Sequence, residues 1–263
     1  MIDMENLLRE AINKNSIEVF YQPKLDLTTG ELCGAEALCR LFDPERGSIS
    51  PAVFIPIAEQ SELIFALENS VLQKVCEQIY SWQCSGLSKF PISVNVSGKH
   101  ILQKDFRDTV NYIIASCMLD PSCLELEITE TWMVKDFNEG LRNIVSLYAK
   151  GIIFSLDDFG TGYSSLLYLQ QLPIKTVKID ISYIKNITIN KTAAKLVEGI
   201  IALSRAIGVV SLAEGVETIE QLELLRALQC DQIQGYFYSK PLSASNFYTF
   251  ANKDNMAYVE KKG

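Results

Sequence analysis

Asp157 and Asp158 stand side by side at the end of an apolar run, residues 151–156, interrupted only by Ser155, and a Gly160-Thr161-Gly162 turn follows them. Adjacent carboxylates repel each other, and a divalent cation removes that penalty. A solvated turn with Asp158 capping local backbone is the simpler account of the pair taken alone. Similar residues recur where other apolar runs end: Glu36, Asn95, Glu127, Lys178 and Glu214. Singly, each has an ordinary reading. Glu36 could pair with Arg40, Asn95 could sit in a turn, Glu127 could be a solvated edge carboxylate, Glu214 could cap a helix, and Lys178 could neutralise any of them. Gathered at one mouth, the five carboxylates and the amide would raise several pKa values unless cations shared them. Oxygen-rich ligation with no Cys or His in it favours Mg²⁺ or Mn²⁺ over zinc.

Bringing these residues together requires strands whose ends converge. Apolar runs with strand character fall at 17–25, 32–38, 91–96, 123–129, 151–156, 175–180, 208–213 and 231–234. Helical stretches fall at 3–13, 52–58, 61–84, 104–117, 137–149, 164–171, 191–206, 218–228 and 243–250. The longest of them carries Leu63, Leu67, Val71, Val75 and Ile79 at four-residue spacing, one helix stripe. Pro51 sits where a helix tolerates proline. Eight strands alternating with helices, and no internal linker, predict an α/β fold: a TIM-like (β/α)₈ barrel forming a single domain over 1–263. Strands one and two are joined by a turn around Thr29-Gly30, too short for a parallel crossover, so one antiparallel strand is expected near the N-terminus. Pro23 in strand one calls for an edge or a bulge. A doubly wound open sheet is the alternative, but no Gly-x-Gly-x-x-Gly follows a strand. The segment 42–50 reads as loop, and the last dozen residues read as frayed.

The 263 residues carry a formal charge of -8 and 48% hydrophobic residues, which describes a well-cored globular chain. That acidity argues against a DNA-binding surface. His100 is the single histidine, which excludes a His-rich zinc site. The seven cysteines lack zinc-knuckle spacing and read as small buried hydrophobes in a reducing compartment. No 18-residue apolar stretch and no signal-peptide core occur in the sequence, so a cytoplasmic protein with no membrane segment is expected.

The residues at the strand ends fall into seven motifs: Glu36-Ala37-Leu38; Asn95-Val96-Ser97; Glu127-Ile128-Thr129-Glu130; Asp157-Asp158-Phe159-Gly160-Thr161-Gly162-Tyr163-Ser164-Ser165; Lys178-Ile179-Asp180; Glu214-Gly215-Val216-Glu217; and Gln234-Gly235-Tyr236. In this order the chain resembles the EAL domain, the family of cyclic-di-GMP phosphodiesterases, from about residue 16 to 250. The resemblance implies a TIM-like barrel with one antiparallel strand. It implies Glu36, Asn95, Glu127, Asp157, Asp158 and Glu214 as metal ligands, and Lys178 beside the attacking water. Asp180 becomes a further site carboxylate, and Gln22, Arg40 and Gln234 take substrate-side positions. Glu130 and Glu217 would hold the loop after the fifth strand. Leu41 stands where the family often has Trp, and Ile181 where a polar residue is common. Neither position is a ligand, although losing the Trp would weaken substrate packing.

The implied chemistry is hydrolysis of one phosphodiester of cyclic-di-GMP to linear 5′-pGpG, in signal transduction. Two Mg²⁺ or Mn²⁺ ions about 3.5–4 Å apart would serve it. Lys178 is expected as the only nearby cation of the carboxylate cluster, a fixed charge and not a general base. The Gly160–Gly162 loop is expected to move with substrate or a partner subunit. Family members are often dimers, so a homodimer is an expectation, as is a place within a larger sensory protein. The alternative function is a catalytically silent cyclic-di-GMP receptor or protein-interaction module.

Overall fold

A computed structural model describes residues 4–43, 45–129, 133–160 and 166–252. Helix α1 (Met4–Asn13) leads into strands β1 (Glu18–Asp26) and β2 (Leu32–Asp43). Their turn forms because Asp26 Oδ1 accepts from the N–H groups of Thr28 and Thr29, both at 2.8 Å, and Gly30 adopts φ 73°. Next come β3 (Gly47–Ile49), α2 (Pro51–Gln60), α3 (Leu63–Cys84), β4 (Ile92–Val96), α4 (Gly98–Ile101), α5 (Phe106–Ser116), β5 (Leu124–Thr129) and α6 (Met133–Tyr148). The chain continues through β6 (Ile153–Phe159), α7 (Leu166–Leu169), β7 (Thr176–Ile179), α8 (Ile181–Ile184), α9 (Lys191–Ile207), β8 (Val210–Glu214), α10 (Ile219–Ala227), β9 (Gln232–Gln234) and α11 (Ala244–Ala251).

The strands close into a ring of eight: β1, β2, β4, β5, β6, β7, β8 and β9, with β9 returning to β1. Every pairing from β2 through β4 to β9 is parallel, while β1 is antiparallel to both neighbours. The predicted barrel and its one reversed strand are therefore present. Pro23 is tolerated because β1 meets β9 only at Leu25 and Asp26. Sequence reading missed a hairpin within 42–50. There β2 runs on to Asp43 and folds back as β3, with Leu41 opposite Ile49. The four-residue helices α4 and α8 were also unforeseen, being too short for a periodic pattern. The expected frayed tail beyond residue 252 lies outside the described residues.

Period-two alternation divides the strands between two environments. On β4, Ile92, Val94 and Val96 are buried in the hydrophobic core, as are Leu124, Leu126 and Ile128 on β5. This layer lies between the sheet and its helices, and the α3 residues Leu67, Val71, Val75 and Ile79 join it as their spacing predicts. The alternate residues on these strands, Ser93, Glu125 and Glu127, are equally buried but polar: Ser93 donates to Glu125 on the neighbouring strand, and Lys24 of β1 donates to both Glu125 and Glu127. In most (β/α)₈ barrels branched apolar side chains dominate the interior. Here it is largely polar.

Candidate active site

Asn95 from β4, Glu127 from β5, Asp157 and Asp158 from β6, Lys178 from β7, Glu214 from β8 and Gln234 from β9 lie near the C-terminal ends of their strands, and Glu36 joins them from mid-β2, within its pairing with β4. Gln22 reaches the same mouth from β1, where it sits opposite Glu36. The barrel register thus collects residues separated by as many as 212 positions in sequence.

Lys178, fully buried, is the hub. Its Nζ lies 2.9 Å from Asp157 Oδ1, 2.8 Å from Glu214 Oε1 and 3.8 Å from Glu36 Oε2, and it donates a short bond to Glu127 Oε2. Glu36 is fixed through both oxygens. Asn95 Nδ2 donates to Oε1 at 2.8 Å and Gln234 Nε2 to Oε2 at 2.6 Å. Gln234 Nε2 also donates to Gln22 Oε1 at 3.2 Å, and Gln22 Nε2 to the Ser239 carbonyl at 3.3 Å.

Sequence reasoning missed Lys24, and Lys178 is not the only cation near the cluster. Lys24 Nζ contacts Glu127 Oε1 at 2.7 Å, Glu125 Oε2 at 3.1 Å and Ser93 Oγ, with 2% of the residue exposed. The signal was available as a lysine two residues after Gln22, on the same face of the strand. It was overlooked because the rule about strand C-termini applies only to the parallel strands.

Among the described residues, the Lys24 and Lys178 ammoniums face the buried carboxylates Glu36, Glu125, Glu127 and Asp157, with half-buried Glu214 and exposed Asp158 beside them, so carboxylates outnumber cations. Burial pushes Glu214 up to about 8, with Asp157, Glu36 and Glu127 adding and Lys178 opposing. Asp158 rises to about 6, chiefly through burial, then through the neighbouring charges of Asp157 and Asp180. Burial also raises Glu36. Glu127 goes the other way. Although burial opposes it, Lys178 and Lys24 hold its carboxyl down at about 2. Lys178 stays well above the usual lysine range because its four carboxylates outweigh burial.

Among the described residues, Asp157, Asp158 and Glu214 each bring a carboxylate oxygen within 4.8 Å of the other two. Asp158 takes φ 53°, a left-handed conformation that turns it away from the strand alternation, and its N–H donates to Asp157 Oδ1 at 2.9 Å. All three donors are hard oxygens, a set suited to Mg²⁺ or Mn²⁺. Glu36, Asn95 and Glu127 stand around this trio through Lys178 and their mutual hydrogen bonds and not inside it.

The other predicted residues sit around the rim. Asp180 caps α8 by accepting from the Ser182 N–H at 3.0 Å. Arg40 is half-buried, with Nη1 donating to the Cys39 carbonyl at 3.1 Å. Glu217 is exposed, and its N–H donates to Gln221 Oε1 at 2.8 Å at the head of α10. Glu130 and residues 161–165 of the glycine loop lie outside the described residues. Leu41 is fully buried in the core. Ile181 packs on Gly215, where an added Cβ would fall 2.2 Å from Ile181 Cγ1. Beside Asn95, a cavity of about 320 Å³ opens between the ends of β2 and β4 and the helices α2 and α3, lined in part by Leu38, Pro51, Ile55 and Ile64. Its wall is braced by Glu68, which accepts from the Ser97 N–H at 2.8 Å and stands 2.7 Å from His100 Nδ1.

The family model of the EAL domain matches residues 5–241. The chain is 38% identical over 237 residues to the bifunctional diguanylate cyclase/cyclic di-GMP phosphodiesterase MucR of Pseudomonas aeruginosa, covering 90% of this chain and 35% of that protein. It is also 38% identical over 237 residues to the oxygen sensor protein DosP of Escherichia coli, covering 90% of this chain and 30% of that one. It spans about a third of the length of these curated relatives. The solved structure of the PaMucR phosphodiesterase in complex with c-di-GMP superposes with a TM-score of 0.89 at 36% identity, covering 93% of this chain and 99% of that one. An EAL domain protein from Listeria monocytogenes gives 0.83 at 30% identity, covering 95% and 98%.

Proposed function

The chain belongs to the EAL domain family, and from that premise we propose that it hydrolyses cyclic-di-GMP to linear 5′-pGpG in a divalent-metal-dependent reaction. The observation that carries this reading is the trio Asp157, Asp158 and Glu214, whose carboxylate oxygens lie within 4.8 Å of one another at the barrel mouth beside Lys178. We assign Glu36, Asn95, Glu127, Asp157, Asp158 and Glu214 as the ligands of two Mg²⁺ or Mn²⁺ ions. Such ions, when bound, supply Lewis-acid charge to the phosphoryl oxygens and lower the pKa of water.

The protein's own groups do the positioning. Lys178, held protonated by its carboxylates, cannot accept a proton at neutral pH, so it acts as a fixed positive charge that orients water and offsets negative charge developing on the phosphoryl oxygens. Hydrolysis adds water across one P–O3′ bond: hydroxyl to phosphorus, proton to the ribose 3′-oxygen. Asn95 and Gln234 keep Glu36 from rotating. Arg40 at the rim suits the second phosphodiester through paired N–H groups. Gln22 and Gln234 line the substrate side, and the buried Gln234 Oε1 has no partner among the described residues, leaving it to accept from a ligand. Asp180, through its contact with Asp158, steadies the end of β6. The apolar cavity beside Asn95 offers a purine aliphatic side chains to pack against. Glu130 and Glu217 are assigned to anchoring the glycine loop.

No helix of the described residues is long and apolar enough to cross a membrane. The seven cysteines are free thiols, in keeping with a reducing cytoplasm. We place the domain as the output module of a longer sensory protein that works as a homodimer.

The test is chromatography of cyclic-di-GMP after incubation with protein and Mg²⁺ or Mn²⁺. Linear dinucleotide should appear, and EDTA should abolish it. Tight binding without turnover by a folded, metal-binding sample would replace the enzyme with a receptor.

A further inference from the structure

Lys24 has three ammonium protons and three partners, Ser93 Oγ, Glu125 Oε2 and Glu127 Oε1, all enclosed in the barrel. A lysine needed only to balance Glu125 could stop there. This one reaches further, to the oxygen of Glu127 that faces away from Lys178. Glu127 is thereby gripped at both ends, Oε1 by Lys24 and Oε2 by Lys178.

The two grips differ in kind. Lys178 divides its contacts among four carboxylates at the mouth, any of which can take up a different partner there. Lys24 is anchored below. It arrives on the reversed strand β1, two residues deeper than Gln22, and its strand partner is Gly34. An added Cβ at Gly34 would press on the Pro91 carbonyl at 3.0 Å and only touch Lys24 Cδ at 3.7 Å, so the lysine chain runs in van der Waals contact over this position. Ser93 holds that end by accepting from Lys24 and donating to Glu125 Oε2.

We propose that Lys24 is a positioning residue for this site: it fixes Glu127 Oε1 from inside the barrel, so that Glu127 presents Oε2 alone, in one orientation, to whatever cation occupies the mouth. The proposal rests on the phosphodiesterase reading above and adds a residue to it. Partners that orient a metal-binding carboxylate from behind typically change activity or affinity by about 10- to 100-fold when removed. Loss of Lys24 frees Glu127 to rotate and to offer both oxygens. It also makes the mouth more negative, so cation binding itself should persist.

The experiment compares the wild-type 263-residue chain with Lys24→Met, which keeps the side-chain length and removes the charge. At saturating Mn²⁺, kcat should fall about 10- to 100-fold with KM for cyclic-di-GMP unchanged. The electron paramagnetic resonance spectrum of bound Mn²⁺ should change with it, since that spectrum reports ligand geometry directly. Lys24→Met with Glu125→Gln removes the stranded acid and serves if the single variant folds poorly. It should regain the melting temperature but neither the wild-type spectrum nor kcat. A lowered melting temperature with wild-type kcat and spectrum would overturn the proposal, leaving Lys24 a purely structural ion pair. Failure of both variants to fold in Mn²⁺ would overturn it in the same way. If wild type itself shows no turnover, the phosphodiesterase reading fails alone, and the Mn²⁺ spectra still decide the role of Lys24.

Discussion

Gln234 Nε2 donates to Glu36 Oε2 at 2.6 Å, across the reversed strand that separates their two strands in the ring. With Asn95 on the other oxygen, Glu36 is met by an amide donor on each side. Glu36→Gln would leave one of those donors facing an N–H₂ group and remove one charge from the mouth. Turnover should fall at least about 100-fold, in the range for loss of one key electrostatic group. The fold should survive, because the site lies at the mouth and not in the hydrophobic layer. Product chromatography and thermal melting check this, and unchanged turnover in saturating Mg²⁺ would remove Glu36 from the ligand set.

Lys178→Met deletes the counter-charge of four carboxylates at once. Breaking a buried ion pair from one side typically costs about 3–5 kcal/mol. With EDTA the variant should melt well below wild type, and Mg²⁺ or Mn²⁺ should recover most of the difference while turnover stays low. A melting temperature equal to wild type in EDTA would contradict the hub role of Lys178.

Acidity should act on stability with a sign set by Glu214 and Asp158. Burial, above all, raises these carboxyls in the fold to about 8 and about 6. Between their unfolded and folded values the native chain binds more protons than the unfolded one, so stability falls as pH rises through that window. Glu127, held at about 2, contributes stability above its unfolded value and loses it only as pH drops toward 2. In EDTA, then, the melting temperature should decline from about pH 5 to pH 8. Mg²⁺ or Mn²⁺ must displace those protons, so the increment they give should grow with pH and shrink toward about pH 5. A metal increment independent of pH would disprove the coupling.

Ca²⁺ should raise the melting temperature yet support little turnover. It is larger than Mg²⁺ and accepts looser coordination, so the reacting groups lose their alignment. Full activity in Ca²⁺ alone, or activity that persists after exhaustive EDTA treatment, would rule out the metal-dependent mechanism.

Gly235→Ala tests how closely the segments that follow β8 and β9 approach each other. A Cβ there would lie 2.1 Å from the Val216 carbonyl oxygen and 2.3 Å from its nitrogen, and neither backbone atom can move alone. The variant should lose about 1–3 kcal/mol or more and, because Gln234 precedes it, lose turnover too. Urea melts and kinetics would show both effects, and a wild-type profile would mean these two segments can move apart at little cost.

The barrel was legible because apolar strand runs and helix stripes obey simple periods, and the mouth because its polar residues end parallel strands. Lys24 escaped because β1 runs backwards, which places a lumen residue where the C-terminal rule does not look. The β2–β3 hairpin escaped because Pro44 and Gly47 mark a turn without saying that pairing resumes after it. The left-handed conformation of Asp158 has no signal beyond the Asp-Asp pair itself, since aspartate only tolerates such geometry.

The reversed strand also sets a timetable for the nascent chain. Lys24 leaves the ribosome 101 and 103 residues ahead of Glu125 and Glu127, the two acids that neutralise it. At roughly 5–20 residues per second, the β1–β2 hairpin waits several seconds or more with an uncompensated ammonium on its inner face. Ring closure waits longer still, for β9 to dock on β1 at Leu25 and Asp26. Until then the sheet has two open edges, so products truncated before residue 232 should aggregate and not persist as partial domains.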